Sequence, residues 1–180
     1  DRICSGVSGN TTAKITSQHG LIYSQLIQVY GREKAGMYLQ ANEAALGESR
    51  KLAAEIDCDF EEKDAYTYSL ADRKTIEDEV HALQSLGFPA EFAEGADLSL
   101  PFQTRGAVRY RKQAQFHPLK FAAKIAEDLD VCEYTLVRDI SRNAAYTDRG
   151  TITADKILSA SHFPFLNRRG NYFLKLYQHR

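Results

Sequence analysis

Residues 5–20 read SGVSGNTTAKITSQHG, a stretch rich in Gly, Ser and Thr that lacks helical periodicity. This composition predicts a loop with accessible backbone amides, which suits close approach to a ligand. A helical pattern begins at Leu21, breaks at Gly31 and resumes from Arg32 to Ile56. Apolar residues there recur at spacings of three, four and seven, which predicts a long amphipathic helix. Its expected buried face comprises Ala35, Tyr38, Ala41, Ala45, Leu52 and Ile56.

The middle of the chain has the pattern of an α+β unit. Residues 55–64 are acidic and predict a solvated turn, and residues 64–70 have the β-branched and aromatic content of a strand. Asp72 is placed to cap a helix that ends before Gly87. Residues 90–94 and 106–111 predict two further strands. Strands joined in this way are expected to be antiparallel.

The last third predicts a helix and several strands. Pro118 is suited to the first position of a helix. Strand patterns follow at residues 131–137, at residues 151–154 as part of a hairpin, and at residues 156–160. Residues 172–177 alternate apolar and polar side chains like one more strand. The sequence as a whole therefore predicts a mixed α+β and α/β fold.

Composition and charge exclude several classes of protein. The chain has 23 basic and 24 acidic residues, so no overall field draws it to nucleic acid or to anionic lipid. No segment approaches the roughly 18 apolar residues that a membrane-spanning helix needs. The three cysteines form no CxxC pair, and the five histidines show no metal-ligand spacing. We therefore expect a cytoplasmic protein with reduced thiols and no metal, membrane or nucleic-acid partner.

The start of the chain suggests processing. Met37 is the only methionine, and the chain begins with Asp1. We therefore expect a piece excised from a larger protein. A processed or tag-trimmed small protein is the alternative.

Four motifs carry a resemblance to a known family. They are residues 5–20, residues 41–44 (ANEA), residues 113–118 (QAQFHP) and residues 147–165 (TDRGTITADKILSASHFPF). Together they resemble the FAD-dependent oxidoreductases of the D-amino-acid oxidase and glycine oxidase type. The similarity is greatest to a bacterial branch with SGNTTAKxTSQHG and TDRGTITADKxxxASHFPF, and it covers nearly the whole chain.

The resemblance implies a partial FAD-binding α/β layer and an antiparallel-sheet portion of a substrate domain. In that family a GxGxxG motif holds the FAD pyrophosphate. This chain has no GxGxxG, so that motif is expected upstream of Asp1, with further strands beyond Arg180. The implied organisation is residues 1–57 for the cofactor-facing loop and helices, 58–117 for the substrate-domain portion, 118–163 for the return to the FAD domain, and 164–180 for the start of a further substrate-domain strand.

The resemblance also implies cofactor-binding residues. The loop of residues 8–12 and Lys14 would approach the pyrophosphate and flavin, and residues 18–20 would lie towards the isoalloxazine ring. Val137 would hold adenine through its backbone, and His162 stands where relatives have glycine. For each residue, capping of turns or plain packing is the alternative. The set is Ser8, Gly9, Asn10, Thr11, Thr12, Lys14, Gln18, His19, Gly20 and Val137.

Four residues of the middle strands are candidate substrate ligands. Tyr66, Tyr68, Arg109 and Tyr110 would orient or clamp a carboxylate. Packing of the tyrosines and a surface role for Arg109 are the alternatives. His117 is interpreted as a helix-boundary residue. We name no catalytic residue, because the cofactor carries the chemistry.

Two functions remain open from the sequence. The first is a fragment of a flavin-dependent oxidoreductase that oxidises a C–N bond of a small amine or amino acid by hydride transfer to FAD. Such a fragment would be inactive alone, would hold FAD weakly or not at all, and would self-associate through its truncated face. The second is a non-catalytic ligand-binding or protein-interaction domain derived from that family. Substrate identity and electron acceptor are left open.

Overall fold

A computed structural model describes residues 2–161 of the chain. They belong to two compact units, Cys4–Leu129 and a second unit with residues 2–3 and 130–161. Three of the sequence predictions lie outside the described residues, namely the role of His162, the segment 164–180 and the strand at 172–177. The four-part organisation expected from the family stays a prediction.

Helix α1 (Tyr23–Ala54) consists of two helical segments that meet at Gly31. Gly31 has φ 84° and ψ 161°, a backbone conformation that glycine adopts without steric cost, and this confirms the predicted break. The predicted buried face was largely wrong. Ala35 is buried as expected, but Leu39 and Leu46 fill the core, whereas Tyr38 and Leu52 are exposed. Apolar residues follow helical spacing on more than one face of this helix, and packing against the rest of the unit determines which face is buried.

The first unit is built on an antiparallel sheet around β4 (Ala107–Gln115). Strand β2 (Glu61–Tyr68) pairs along one edge of β4. The other edge is shared by β1 (Lys14–Ile15) at one end and β3 (Glu91–Ala93) at the other. This arrangement confirms the antiparallel middle unit. Strand β2 begins within the predicted acidic turn, because Glu61 and its neighbours pair with cations such as Lys63.

Helix α2 (Arg73–Ser85) covers one face of this sheet together with α1. Its N-cap is Asp72, whose carboxylate accepts the backbone N–H groups of Lys74 and Thr75, as predicted. Full burial of one Leu or Ile side chain stabilises a fold by about 1.5–3 kcal/mol, so these contacts hold the unit together. The core contains Tyr23, Leu39, Ile76, Val80, Ala82, Leu83, Ala90, Val108 and Tyr110.

Helix α3 (Pro118–Ala126) begins at the predicted proline. Its N-cap is His117, whose Nδ1 accepts the N–H of Lys120 at 3.3 Å, in agreement with the helix-boundary interpretation. All nine residues of α3 are described and none is buried. Leu119 and Ile125 are 43% and 47% exposed.

The second unit contains a three-stranded antiparallel sheet of β5 (Val137–Ile140), β6 (Ala144–Thr147) and β7 (Thr151–Thr153). The predicted strand at 131–137 was wrong, because the strand begins where that segment ends. The preceding residues form turns, with Tyr134 at φ 53° and the N–H of Leu136 bonded to Asp148 Oδ1. Residues 156–160, although described, form no strand either.

Candidate functional site

A cavity of about 360 Å³ lies within the unit Cys4–Leu129. Lys14, Thr16 and Gln18, from the loop that opens the chain, line it. Tyr66 and Tyr68 from β2 line it as well, and so do Leu98 and Leu100 from the loop before β4. Two residues predicted to bind the cofactor, Lys14 and Gln18, therefore line the same cavity as Tyr66 and Tyr68, which are predicted to bind the substrate.

The loop is attached to β4 around Ser17. Strand β1 pairs with β4 only at Lys14 and Ile15. Ser17 is fully buried, and its N–H donates to Gln113 Oε1 at 2.8 Å. The hydroxyl of Tyr23 donates to the carbonyl oxygen of Ser17 at 2.7 Å. Both backbone polar groups of Ser17 are therefore satisfied by side chains, as burial requires.

The end of the loop is fixed by a buried carboxylate. Glu79 of α2 is fully buried and accepts the N–H groups of Tyr23 and Ser24, each at 2.8 Å. These are free amides of the first turn of α1, where a negative charge is favoured. Burial, together with the charges of Tyr38, Glu43 and Glu79, raises the pKa of Tyr23 well above its ordinary value. Tyr23 therefore acts as a neutral hydrogen-bond donor.

Residues 8–12 begin within a short 3-10 helix, Val7–Gly9, and continue into a loop. A Cβ at Gly9 would collide with the carbonyl oxygen of Cys4, so only glycine fits there. Asn10 Nδ2 donates to the carbonyl oxygen of Gly6 at 2.9 Å, and Thr11 Oγ1 accepts the N–H of Ala13 at 3.1 Å. The sequence left two interpretations of Asn10 and Thr11 open, binding of the cofactor or capping of a turn. Both side chains make hydrogen bonds of the capping kind.

The candidate substrate ligands lie on both faces of the sheet. Tyr66 is the register partner of Arg109, which places both on one face together with Tyr68. Tyr110 lies on the opposite face, fully buried in the core against Phe88. Burial, with the charges of Glu79 and Tyr23, raises the pKa of Tyr110 strongly. The structure brings the first three residues together and separates Tyr110 from them.

Arg109 is occupied by carboxylates. It forms an ion pair with Asp64, to which its Nε donates at 2.7 Å, and its Nη1 lies 3.5 Å from Glu91 Oε2. Partial burial alone would raise the pKa of Asp64, but hydrogen bonds from Arg109 and the N–H of Lys112 outweigh it and lower that pKa. Arg109 is absent from the described residues that line the cavity. Its charge is already compensated without a ligand.

Comparison with known families settles the relationship of the chain. Residues 1–169 match the DAO family of FAD dependent oxidoreductases. The chain belongs to this family. Within the curated proteins this DAO chain is 31% identical over 193 residues to YhfW of Bacillus subtilis (strain 168), which is provisionally named a Rieske 2Fe-2S iron-sulfur protein. The match covers 100% of the chain and 38% of that relative.

Solved structures share the fold of this DAO chain. Glycine oxidase from Bacillus cereus ATCC 14579 has a TM-score of 0.56 at 21% identity, covering 87% of the chain and 45% of that structure. L-Proline dehydrogenase from P. horikoshii has a TM-score of 0.55 at 15% identity, covering 84% and 41%. The chain thus spans less than half the length of these relatives. These matches confirm the mixed helix and antiparallel-sheet fold.

Members of the DAO family bind FAD, and the free donors of the loop have suitable chemistry for it. Among residues 2–161, the hydroxyls of Ser8 and Thr12 and the ammonium of Lys14 have no hydrogen-bond or ion-pair partner. Hydroxyl and ammonium donors suit phosphate and flavin carbonyl oxygens. Gly20 has φ 87°, which favours glycine at that turn. The loop therefore fits a phosphate-bearing, carbonyl-rich group.

Other predicted cofactor residues already have partners. Gln18 Nε2 donates to the carbonyl oxygen of Gly20 at 3.4 Å, and His19 Nδ1 lies 3.1 Å from the hydroxyl of Tyr38. Val137 is the half-buried first residue of β5 in the second unit, paired with Thr147. The cofactor roles of these residues stay predictions.

The sequence analysis assigned no site role to several residues that line the cavity, namely Lys63, Asp64, Ala65, Leu98, Leu100, Gln113, Ala114 and Gln115. Gln113 lies in the QAQFHP motif, which carried the resemblance but no assigned role. Its partner Ser17 is 96 positions away, so no local pattern reveals the contact. Leu98 and Leu100 follow no periodic pattern and enter the cavity only through the path of the loop before β4.

Within residues 2–161 no group of three or more His, Cys, Asp and Glu side chains is placed to hold a metal ion. The helices of the same residues include none with the length and hydropathy to cross a membrane. Cys4, Cys58 and Cys132 are free thiols, and burial raises the pKa of Cys58.

Proposed function

We propose that this chain is part of a FAD-dependent oxidoreductase that oxidises a C–N bond of an amine or amino acid. The observation that carries the proposal is the shared cavity. Lys14, Thr16 and Gln18 come from the loop predicted to face the flavin, and Tyr66 and Tyr68 come from the strand predicted to face the substrate. An oxidoreductase of this kind needs both kinds of residue around one space.

Charged, polar and apolar side chains line the cavity. Two of the charged ones are already paired, Lys63 with Glu61 and Asp64 with Arg109. Lys14 has no such partner, so its positive charge is suited to a flavin oxygen or a substrate carboxylate. Tyr66, Tyr68, Leu98 and Leu100 supply apolar surface. FAD, when bound, supplies the hydride acceptor, so the protein groups have only to orient the C–H bond and exclude water. We therefore expect a substrate with a carboxylate and an apolar substituent.

Arg109 and Tyr110 have other roles in this proposal. Arg109 orders the sheet through Asp64 and Glu91, and Tyr110 fills the core. The substrate side of the cavity is assigned to Tyr66 and Tyr68 alone. Any further substrate ligands would come from the rest of a longer protein.

The chain is proposed to be a fragment that is inactive alone. It spans 38% of the Bacillus subtilis relative and 45% of the Bacillus cereus glycine oxidase, and it contains no GxGxxG motif. The pyrophosphate would then be held largely by residues outside this chain. Free thiols at Cys4, Cys58 and Cys132 support a cytoplasmic location for the whole protein.

The electron acceptor is proposed from the Bacillus subtilis relative. The name of that relative refers to a Rieske 2Fe-2S cluster, and its similarity covers this whole chain. We therefore propose that an iron–sulfur cluster in the longer protein, when present, would accept the two electrons of the reduced flavin one at a time. Anaerobic addition of an active amine should then reduce the cluster as well as the flavin, which electron paramagnetic resonance would detect. Turnover that depends on oxygen and leaves the cluster oxidised would contradict this acceptor.

The main test uses the longer protein that contains this chain. Loaded with FAD, it is mixed anaerobically with a panel of amines and amino acids, and the flavin band near about 450 nm is followed. We expect bleaching by at least one compound, with Lys14→Gln weakening its apparent affinity about tenfold or more. Lys34→Gln, an exposed lysine of α1, is the matched control. FAD binding with no bleaching by any compound would reject the oxidoreductase.

The absence of GxGxxG from the 180 residues favours a second function on the condition that no upstream segment encodes that motif. In this alternative the chain is a non-catalytic domain that uses the cavity to bind a ligand. Retention of an amine by a protein that binds no FAD would favour the alternative.

The chain alone is also proposed to self-associate. Leu119 and Ile125 of α3 are large apolar side chains exposed to solvent. We expect light scattering to give a mass above the monomer at tens of micromolar, and Ile125→Lys to reduce it. A monomeric mass for the unaltered chain would count against this surface.

A further inference from the structure

A buried hydrogen-bond set joins the loop to the strand behind it. Gln113 is 2% exposed, and its Oε1 accepts both the N–H of Ser17 at 2.8 Å and the Ser17 hydroxyl at 3.3 Å. Its Nε2 donates to the carbonyl oxygen of Arg111 at 3.1 Å. The amide of Gln113 is thus held at both ends, and its orientation is fixed.

This contact continues the strand pairing beyond the point where the backbones separate. Backbone pairing of β1 with β4 stops at Ile15, opposite Ala114. Lys112 has φ 55°, which interrupts the regular backbone of β4 just before Gln113. The side chain of Gln113 then provides the acceptor that a paired strand would provide. Ser17 is held at a defined distance from β4 although it belongs to no strand.

Both neighbours of Ser17 line the cavity. Thr16 precedes it and Gln18 follows it, and Gln113 lines the same cavity. Tyr23 restrains the same peptide from the side of α1. A shift of Ser17 therefore moves two lining residues together, along with His19, the predicted neighbour of the isoalloxazine ring.

We propose that Gln113 is a positioning residue that sets the distance between the flavin-facing loop and the substrate-side sheet by holding the Ser17 peptide. The inference rests on the proposed function. Gln113 acts through Ser17, so its loss should change the geometry of the reaction more than it changes the binding of substrate. A shift of about 1 Å in such a loop is enough to lower a rate about a hundredfold.

The test compares variants of the longer protein loaded with FAD. Gln113→Leu removes all three hydrogen bonds of the side chain, whereas Gln113→Glu keeps an oxygen acceptor for the N–H of Ser17. Gln84→Leu is the matched control, since Gln84 also donates to a backbone carbonyl, that of Ala90, but lies away from the loop. Thermal unfolding is measured for all three, so that lost stability is separated from lost positioning.

We expect Gln113→Leu to lower kcat about tenfold or more with a smaller change in KM. The flavin band should shift, and amide exchange at Ser17 should become about tenfold faster. Gln113→Glu should restore most of the flavin spectrum and slow exchange at Ser17. Gln84→Leu should change none of these quantities.

Two results separate failure of this inference from failure of the proposed function. If amines reduce the wild-type flavin but Gln113→Leu keeps the kcat, spectrum and Ser17 exchange of the wild type, the positioning role is wrong and the function stands. If no amine reduces the wild-type flavin, the proposed function is wrong. In that case an unshifted flavin band in Gln113→Leu would reject the positioning role as well, by an independent measurement. A wild-type protein that binds no FAD overturns both.

Discussion

Helices α2 and α3 begin alike and end up in different surroundings. Both start with a side-chain N-cap, Asp72 for α2 and His117 for α3, and both have an apolar stripe. α2 places Ile76 and Leu83 in the core, whereas none of the nine described residues of α3 is buried. Amphipathic sequence and a good cap are thus enough to form a helix but do not determine what covers it. The difference supports the proposal that the chain self-associates through α3.

The largest expected effect tests the core contacts of α2. Ile76→Ala should lower the free energy of unfolding by about 2–5 kcal/mol, because it leaves a cavity among packed side chains. Ile125→Ala in α3 is the control and should cost below about 0.5 kcal/mol in the chain alone. Urea denaturation of both variants measures the difference. A similar loss in the two helices would show that α3 is covered after all.

A second expected effect concerns the carboxylate that α2 contributes to α1. Tyr23 and Ser24 donate to different oxygens of Glu79, so Glu79→Gln removes one acceptor and the negative charge; one hydrogen bond is lost and the other is weakened. We expect a loss of about 1–3 kcal/mol, typical of a buried hydrogen bond to a charged group. Glu77→Gln, on the exposed side of the same helix, is the matched control. Equal stability of the two variants would reject Glu79 as a cap of α1.

The smallest expected effect is a pH dependence of the first turn of α2. Hydrogen bonds from Thr75 and from the N–H of Lys74 lower the pKa of Asp72. A carboxyl whose pKa is lowered by folding stabilises the helix above its unfolded value of about 3.9, and this stability is lost as the pH falls through the folded pKa.

Asp72→Asn separates the charge from the cap. It should retain capping and flatten the loss of stability below about pH 4, whereas Asp72→Ala should destabilise the helix start at every pH. Thermal unfolding followed by circular dichroism from pH 7 to pH 3 measures this. An unchanged acid slope in Asp72→Asn would assign the slope to other carboxyls.

Much of the fold could be predicted because its signals are local. Gly31 marks the break in α1, Asp72 and Pro118 mark helix starts, and side-chain alternation marks the strand that became β4. The errors have tertiary causes. Leu39 is buried in place of Tyr38 because packing selects the stripe, and β2 begins at Glu61 because basic neighbours neutralise its carboxylates.

The site was predictable only in part. Composition identified the loop of residues 5–20, and the resemblance selected Lys14 and Gln18, both of which line the cavity. Strand alternation could have placed Tyr110 opposite Arg109, since adjacent residues of a strand face opposite ways. Gln113 could not have been found, because its role depends on a partner 96 residues away.

The buried carboxylate of Glu79 has a consequence for the order of folding. It joins α2 to the start of α1 across 56 residues of sequence, so that contact closes a long loop. The first turn of α1 should therefore stay frayed until α2 docks. Since Tyr23 also holds Ser17, the loop that precedes it should become rigid last, and amide exchange in residues 16–24 should report this late step. The part of the molecule closest to its proposed ligand would then be the last to acquire its native structure.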